Sequence, residues 1–247
     1  MLFHRLLTIS LLTISFFAAQ GTALAQQTVS QEEKVVLSFL KLSKQEPDYD
    51  SWITNSPLYM NASKFDKEDI LESETERLGL GYGTYDVDND IITLKDSVRL
   101  TTRMNNEGKR ILDIRFTDEK KNDIPHFSIP YGTETIALIP EKLENFNIIT
   151  LKPEEIAAIK KYFYDSAPYE AQMEIRIKPK SADGSSKIQI TNKEQWILLG
   201  EIAYLKIEYY DRFKLEHVTV WDYNAPWYLS ESQKALIEMF RDKDESQ

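Results

Sequence analysis

No cysteine occurs among the 247 residues of this chain. Its absence excludes disulfide bonds, thiol nucleophiles, iron–sulfur ligation and cysteine-ligated zinc sites. It also means that no covalent cross-link restricts the unfolded chain, so the hydrophobic core has to stabilise the fold. The hydrophobic content of 42% and the aromatic content of 11% are typical of a globular protein and argue against disorder.

Histidine is scarce as well, with three residues in the chain. Only His126 and His217 lie beyond position 25. A zinc site uses three or four ligands, usually His or Cys, so we expect no metal site, and no motif indicates a cofactor. His217 lies on a predicted strand, where we expect a packed or surface role. His126 is the better functional candidate, because Pro125 and Pro130 enclose a short rigid segment that Tyr131 follows.

The motif of the commonest exported class of serine hydrolase is missing too, although other families with a catalytic triad do not have it. The chain has no G-x-S-x-G sequence, the sharp elbow that exposes a serine nucleophile. A pair of carboxylates could still cleave glycosidic bonds if burial kept one of them protonated. With 40 acidic residues, chance pairs are unavoidable, and the sequence marks no two of them as buried. We therefore predict no catalytic residue and keep a carboxylate-dependent hydrolase as an alternative.

One acidic run has the alternation of a calcium-binding loop. Asp86, Asp88 and Asp90 would open such a loop. The sixth position is Ile91 where the motif has Gly, and the twelfth is Ser97 where it has Glu. We therefore predict a polar turn here and not a cation site.

Long apolar runs are absent except at the N-terminus. After Arg5, residues 6–19 are almost entirely apolar, and Ala23 and Ala25 form the A-x-A pattern of a signal peptidase site. We predict a signal peptide of residues 1–25, cleaved after Ala25. The run is shorter than the roughly 20 residues that span a bilayer, so we expect no stable membrane anchor after cleavage. An exported, cysteine-free protein of this size is expected to be periplasmic or secreted.

The charge of the predicted mature chain is strongly negative. Beyond position 25, 29 basic residues face 40 acidic residues, giving a net charge of −11. Binding of nucleic acid or anionic lipid depends on Lys and Arg displacing counterions. We therefore expect no nucleic-acid partner.

Hydrophobic periodicity predicts an α+β fold with a predominantly antiparallel sheet built from hairpins. We expect one domain over 26–247, although a division near residue 170 stays open. Its parts are a helical segment at 30–80, a β-rich segment at 90–228 that includes one middle helix, and a short C-terminal helix at 230–242.

Individual elements follow from local patterns. Ser30 and Glu33 form a capping-box pattern that opens a helix reaching about residue 44. A second helix, with Phe65 on its apolar face, is expected to end at Gly79 and Gly81. Period-two alternation predicts strands, and tight turns are expected at 105–108 and at 183–184. The predicted strands cover 92–104, 112–116, 126–129, 135–139, 146–150, 173–177, 188–190, 196–205 and 213–223, and the middle helix begins at residue 153.

Four aromatic residues, Trp221, Tyr223, Trp227 and Tyr228, cluster around Pro226 near the end of the β-rich segment. Tyr and Trp combine a large apolar area with a hydrogen-bonding group, and both are enriched at interfaces. Together with His126 and Tyr131, these four residues are the predicted contact residues for an envelope protein or a glycan.

The combination of an export signal, a cysteine-free α+β module and a Trp- and Tyr-rich end resembles uncharacterised exported proteins of Gram-negative bacteria, grouped as domains of unknown function. The resemblance implies no active site. The sequence thus favours a periplasmic binding or assembly protein that acts through surface contacts. The alternatives are a carboxylate-dependent hydrolase of envelope polymers and a small-ligand carrier, which would need a deep apolar pocket.

Overall fold

The structure is a computed structural model that describes residues 29–116, 124–159, 169–190, 192–211, 214–229 and 233. Four helices precede the sheet, and the predicted middle helix follows at α5. The helices are α1 (Gln31–Ser43), α2 (Tyr49–Thr54), α3 (Pro57–Met60), α4 (Lys67–Thr84) and α5 (Pro153–Ile159). The predicted C-terminal helix at 230–242 lies outside the described residues, apart from Gln233.

The capping box predicted for the first helix is confirmed. The Ser30 hydroxyl accepts the backbone N–H of Glu33 at 3.1 Å, and the Glu33 carboxylate accepts the backbone N–H of Ser30 at 2.8 Å. Helix α1 ends at Ser43, and its C-cap residue Lys44 adopts the left-handed conformation. Its apolar side, including Val36, Phe39 and Leu40, is fully buried against the sheet.

The predicted end of the second helix is wrong. Helix α4 continues through Gly79 and Gly81 to Thr84. Gly81 is buried and lies close to the Val29 side chain, so tertiary packing outweighs the low helix propensity of glycine. Phe65 does not contribute an apolar face, because it precedes the helix and its side chain is 91% exposed. The short helices α2 and α3 were not predicted.

Eight strands of the described chain form one mostly antiparallel sheet, in agreement with the predicted fold class. The strands are β1 (Ile92–Met104), β2 (Arg110–Arg115), β3 (Phe127–Tyr131), β4 (Glu134–Glu141), β5 (Ile148–Thr150), β6 (Tyr169–Ile190), β7 (Lys193–Asp211) and β8 (Glu216–Asn224). They are ordered β3-β4-β7-β6-β1-β2-β5, and β8 pairs with β7. The one parallel pairing among them joins β4 to β7.

The turn predicted at Asp183 and Gly184 is wrong. Strand β6 runs through both residues, and its pairing with β7 is irregular between Asp183 and Ile188. The chain reverses later, where Ile190 pairs with Lys193. An Asp-Gly pair in a long hairpin therefore marks a bulge in this fold, because glycine accommodates bulges as readily as turns.

Strand β7 is central, as its apolar character on both faces predicts. Strand β6 covers one edge of β7, while β4 and β8 share the other edge, β4 along residues 196–201 and β8 along residues 204–211. The core lies between this sheet and α1. Strand β8 begins at Glu216, three residues later than predicted.

Candidate functional site

The sheet has a core face and an outer face over β1, β6, β7 and β8. Met173, Ile175 and Ile177 of β6 point into the core, so the residues that alternate with them point to the outer face. Strand register aligns the outer-face side chains in rows across the sheet. One row consists of Lys95, Glu174, Lys206 and Asp222, and the next consists of Thr93, Arg176, Tyr204 and Asn224.

The first row alternates in charge from strand to strand. The ammonium of Lys95 lies 3.8 Å from Glu174. Lys206 stands between Glu174 and Asp222, and it forms a 2.9 Å ion pair with Glu208 on its own strand. Burial acts to lower the pKa of Lys206, but the hydrogen bond to Glu208 and the nearby carboxylates raise it above its usual value. The positive and negative charges of this row therefore offset one another.

Arg176 organises the second row. Its guanidinium donates to Glu174 through Nε at 3.1 Å and Nη2 at 2.8 Å, and to the Tyr228 hydroxyl through Nη1 at 2.8 Å. The guanidinium carbon also lies 5.0 Å from the centre of the Tyr204 ring, a cation–π geometry. Burial acts to lower the pKa of Arg176. The hydrogen bonds to Tyr228 and Glu174 outweigh this effect and raise the pKa above its usual value.

A turn after β8 carries the last two predicted aromatic residues onto this arrangement. The backbone N–H of Ala225 donates to Ala203, and the Asn224 amide donates to the Tyr228 carbonyl at 3.0 Å. Tyr228 is buried beside Ala203 and Ala225. Trp227 remains 42% exposed. The turn is thus anchored by Tyr228 and presents Trp227 at the surface.

Trp227 is fixed at the surface by a hydrogen bond. Its indole N–H donates to the Glu201 carboxylate at 2.7 Å, and Lys180 pairs with the same carboxylate at 2.7 Å. Hydrogen bonds from Lys180 and Trp227 lower the pKa of Glu201 against the opposing effect of partial burial. The ring also meets Tyr228 edge to face, with centroids 6.1 Å apart.

Trp221 and Tyr223 pack against the main core, and Tyr223 also packs against the small cluster that contains Tyr228. They pair with Ile207 and Leu205, two core residues of β7. Both rings contact Phe146, with centroid distances of 5.6 Å for Trp221 and 4.8 Å for Tyr223. The four aromatic residues therefore do not form one exposed platform, because Trp221 and Tyr223 are half-buried and Tyr228 is buried, whereas Trp227 is exposed.

His126 and Tyr131 lie at β3, away from the aromatic turn. The Tyr131 hydroxyl accepts the backbone N–H of Asp48 at 2.8 Å, and its ring meets Trp52 edge to face. Burial raises the pKa of Tyr131. His126 Nδ1 lies 2.9 Å from the Ile124 carbonyl, and Nε2 lies 3.4 Å from the amide of buried Gln195. These contacts give both residues structural partners.

Sequence reasoning did not find Arg176, Tyr204 or Glu201. Arg176 and Tyr204 sit on strands that were recognised, at positions alternating with apolar residues. No local signal distinguishes them from ordinary surface residues, because their proximity depends on the register between β6 and β7.

The other candidate sites in the described residues have fewer features of a binding site. A shallow depression of about 370 Å³, lined by Lys34, Tyr85 and Asp90 among others, lies between α1 and α4 and is crossed by the Lys34–Asp90 ion pair. It is open to solvent, unlike the enclosed apolar pocket of a carrier. Nowhere in the described ranges do three His, Asp or Glu side chains converge on a possible metal site. Asp86 accepts hydrogen bonds from Asp88 and Asn89, as expected of a polar turn.

Comparison with protein-family models, with curated proteins and with solved structures yields no match to this chain. Among the described helices, none combines the length and apolar character needed to cross a membrane.

Proposed function

We propose that this chain is an exported binding or assembly protein of the cell envelope, which acts through surface contacts with a protein or a glycan. The observation that carries the proposal is Trp227, a large aromatic side chain that is exposed and yet held in one position by Glu201 and by its anchored turn. A fixed aromatic ring loses little conformational entropy when a partner covers it.

The surroundings of Trp227 supply the polar contacts that such recognition needs. Lys180, Asp222 and Asn224 are exposed near the same end of the sheet and can exchange hydrogen bonds with a partner. The charged groups deeper in the surface, Arg176 and Glu174, are already paired. Binding there would therefore use the aromatic ring and hydrogen bonds at its rim, without breaking the Arg176–Glu174 ion pair.

The hydrolase alternative has less support. A carboxylate-dependent hydrolase keeps one carboxyl group protonated by raising its pKa. Each described carboxyl group with a shifted pKa, at Glu33, Asp86, Asp183 and Glu201, has it lowered. These groups are suited to ion pairing and not to general-acid catalysis.

The test compares Trp227→Ala with Tyr210→Ala in co-sedimentation with purified peptidoglycan and in pull-down from envelope protein fractions. Tyr210 is a similarly exposed aromatic residue on β7, nine residues from Glu201 and thus roughly 30 Å from it along the strand. We expect Trp227→Ala to reduce recovery by roughly tenfold, with Tyr210→Ala close to wild type. Equal recovery of Trp227→Ala and wild type with every fraction would refute the proposal.

A further inference from the structure

Three exposed apolar side chains occur within eight residues of the sequence, in α3 and the turn that follows it. Leu58 is 54% exposed, Met60 is 60% exposed and Phe65 is 91% exposed. We call these three residues the apolar patch. The turn is compact, because the backbone N–H of Ala62 donates to Tyr59 and that of Asp66 donates to Ser63. Single exposed apolar residues are normal, whereas larger exposed apolar areas mark interaction surfaces.

Helix α3 and the first half of α4, which lie on either side of Phe65, contribute no buried residue to the core. Helix α3 contributes no buried residue, and the buried residues of α4 are Leu78 and Gly81, both in its second half. Ile70 and Leu71 in the first half are half-buried. The patch therefore stands clear of the core, at the start of a helix whose first turns are not covered by the sheet.

The negative charge around the patch favours a positively charged partner. Residues 64–76 hold six acidic and two basic side chains. Glu68, Glu72 and Glu76 are exposed, are spaced four residues apart along α4, and make no ion pair within the described ranges. Like charges at this spacing destabilise a helix. A bound cationic group would remove that repulsion.

The basic residues nearby do not offset this negative charge. The ammonium of Lys67 lies 4.7 Å from the centre of the Tyr59 ring, which leaves Lys64 as the exposed cation beside Phe65. Over residues 29–90 the imbalance is 14 acidic against six basic side chains, so this part of the chain holds most of the net charge of −10.

We propose that the apolar patch and the acidic first half of α4 form a docking surface for a cationic amphipathic segment of a partner protein. Apolar residues of that segment would cover Leu58, Met60 and Phe65, while its Lys or Arg residues face Glu68 and Glu72. A second copy that bound through this same surface would place like charges against each other, and an anionic lipid surface would be repelled. This surface is separate from the one around Trp227 and does not depend on it.

The probe is a synthetic helical peptide of about 14 residues, made of Leu and Lys with Leu at helical spacing, and the control peptide has Glu in place of Lys. Binding of each labelled peptide to the full chain is measured by fluorescence anisotropy. We expect the Lys peptide to bind at least roughly tenfold more tightly than the Glu peptide, and its affinity to fall as NaCl rises from about 50 to about 300 mM.

Matched variants locate the binding. Phe65→Ser should weaken binding of the Lys peptide by roughly tenfold, whereas Leu215→Ser, which changes a residue 74% exposed in the β7–β8 turn, should not. The double variant Glu68→Gln/Glu72→Gln should weaken it, and Glu144→Gln/Glu154→Gln, at exposed sites elsewhere, should not. Circular dichroism confirms that each variant is folded.

Equal binding of the Lys and Glu peptides would overturn the proposal, as would an unchanged affinity in Phe65→Ser. Phe65-dependent binding to phosphatidylglycerol vesicles in place of the peptide would overturn it as well, in favour of a membrane contact. Trp227→Ala should leave peptide affinity unchanged, so failure at this surface and failure at the Trp227 surface are distinguishable.

Discussion

Replacing Tyr228 by Phe removes one hydroxyl group and leaves the ring in place. That hydroxyl accepts a hydrogen bond from Arg176 Nη1 at 2.8 Å. The ring itself remains packed on Ala203 and Ala225. The substitution therefore isolates the contact that ties the aromatic turn to β6, and it tests whether this contact positions Trp227.

The expected loss of stability is about 1 kcal/mol. A hydrogen bond to a charged group contributes about 1.5–3 kcal/mol when it is well shielded from water. The Arg176 side chain is 29% exposed and keeps its hydrogen bonds to Glu174, so the value is reduced by solvent screening. Tyr228→Ala also loses the packing of the ring and should cost about 3 kcal/mol.

Equilibrium unfolding in urea measures the free energy of unfolding of Tyr228→Phe, Arg176→Met and the double variant. If the two groups interact as described, the double-mutant cycle gives a coupling energy of about 1 kcal/mol. Tyr204→Phe is the control, because it also removes one hydroxyl beside Arg176 while keeping the ring under the guanidinium. A coupling energy below about 0.3 kcal/mol, or an equal loss in the control, would refute this reasoning.

Three further substitutions test other parts of the fold. Thr102 is buried and its hydroxyl has no hydrogen-bond partner among the described residues, so Thr102→Val should raise the free energy of unfolding by about 1 kcal/mol, and a loss of stability would contradict this. Gly200→Ala should lower it by about 1–3 kcal/mol, measured in the same way, because the added Cβ would overlap the Ile177 side chain. Burial acts to raise the pKa of Glu33, but Arg77 and Ser30 lower it below its usual value of 4.5. Its contribution is therefore present above about pH 4.5 and lost as the pH falls through the folded-state pKa, so the stability difference between wild type and Glu33→Gln should shrink on acidification.

Elements with strong local patterns were predictable from the sequence. The capping box of Ser30 and Glu33, the β1–β2 hairpin and the apolar central strand β7 all appear where periodicity and capping chemistry placed them. These features depend on neighbours within a few residues along the chain, which is the information that a single sequence holds.

Features set by tertiary contacts were not predictable. Gly79 and Gly81 lie inside α4, and Asp183 and Gly184 lie inside β6, because packing of the surrounding chain outweighs the local turn preference. The same limit applies to the site. The sequence grouped Trp221, Tyr223, Trp227 and Tyr228 by their spacing alone, and it could not show that Trp221 and Tyr223 contact Phe146, because that contact depends on how distant elements meet.

Site-specific photo-cross-linking in a Gram-negative cell tests the central claim most directly, with a photoreactive phenylalanine analogue placed at position 227 or at position 210 of the full chain. We expect the protein to be exported, to start at Gln26 after processing, and to form a discrete cross-linked species from position 227 but not from position 210. A protein that stays in the cytoplasm and still begins at Met1 would contradict export. Identical cross-linking from both positions would contradict the role of Trp227.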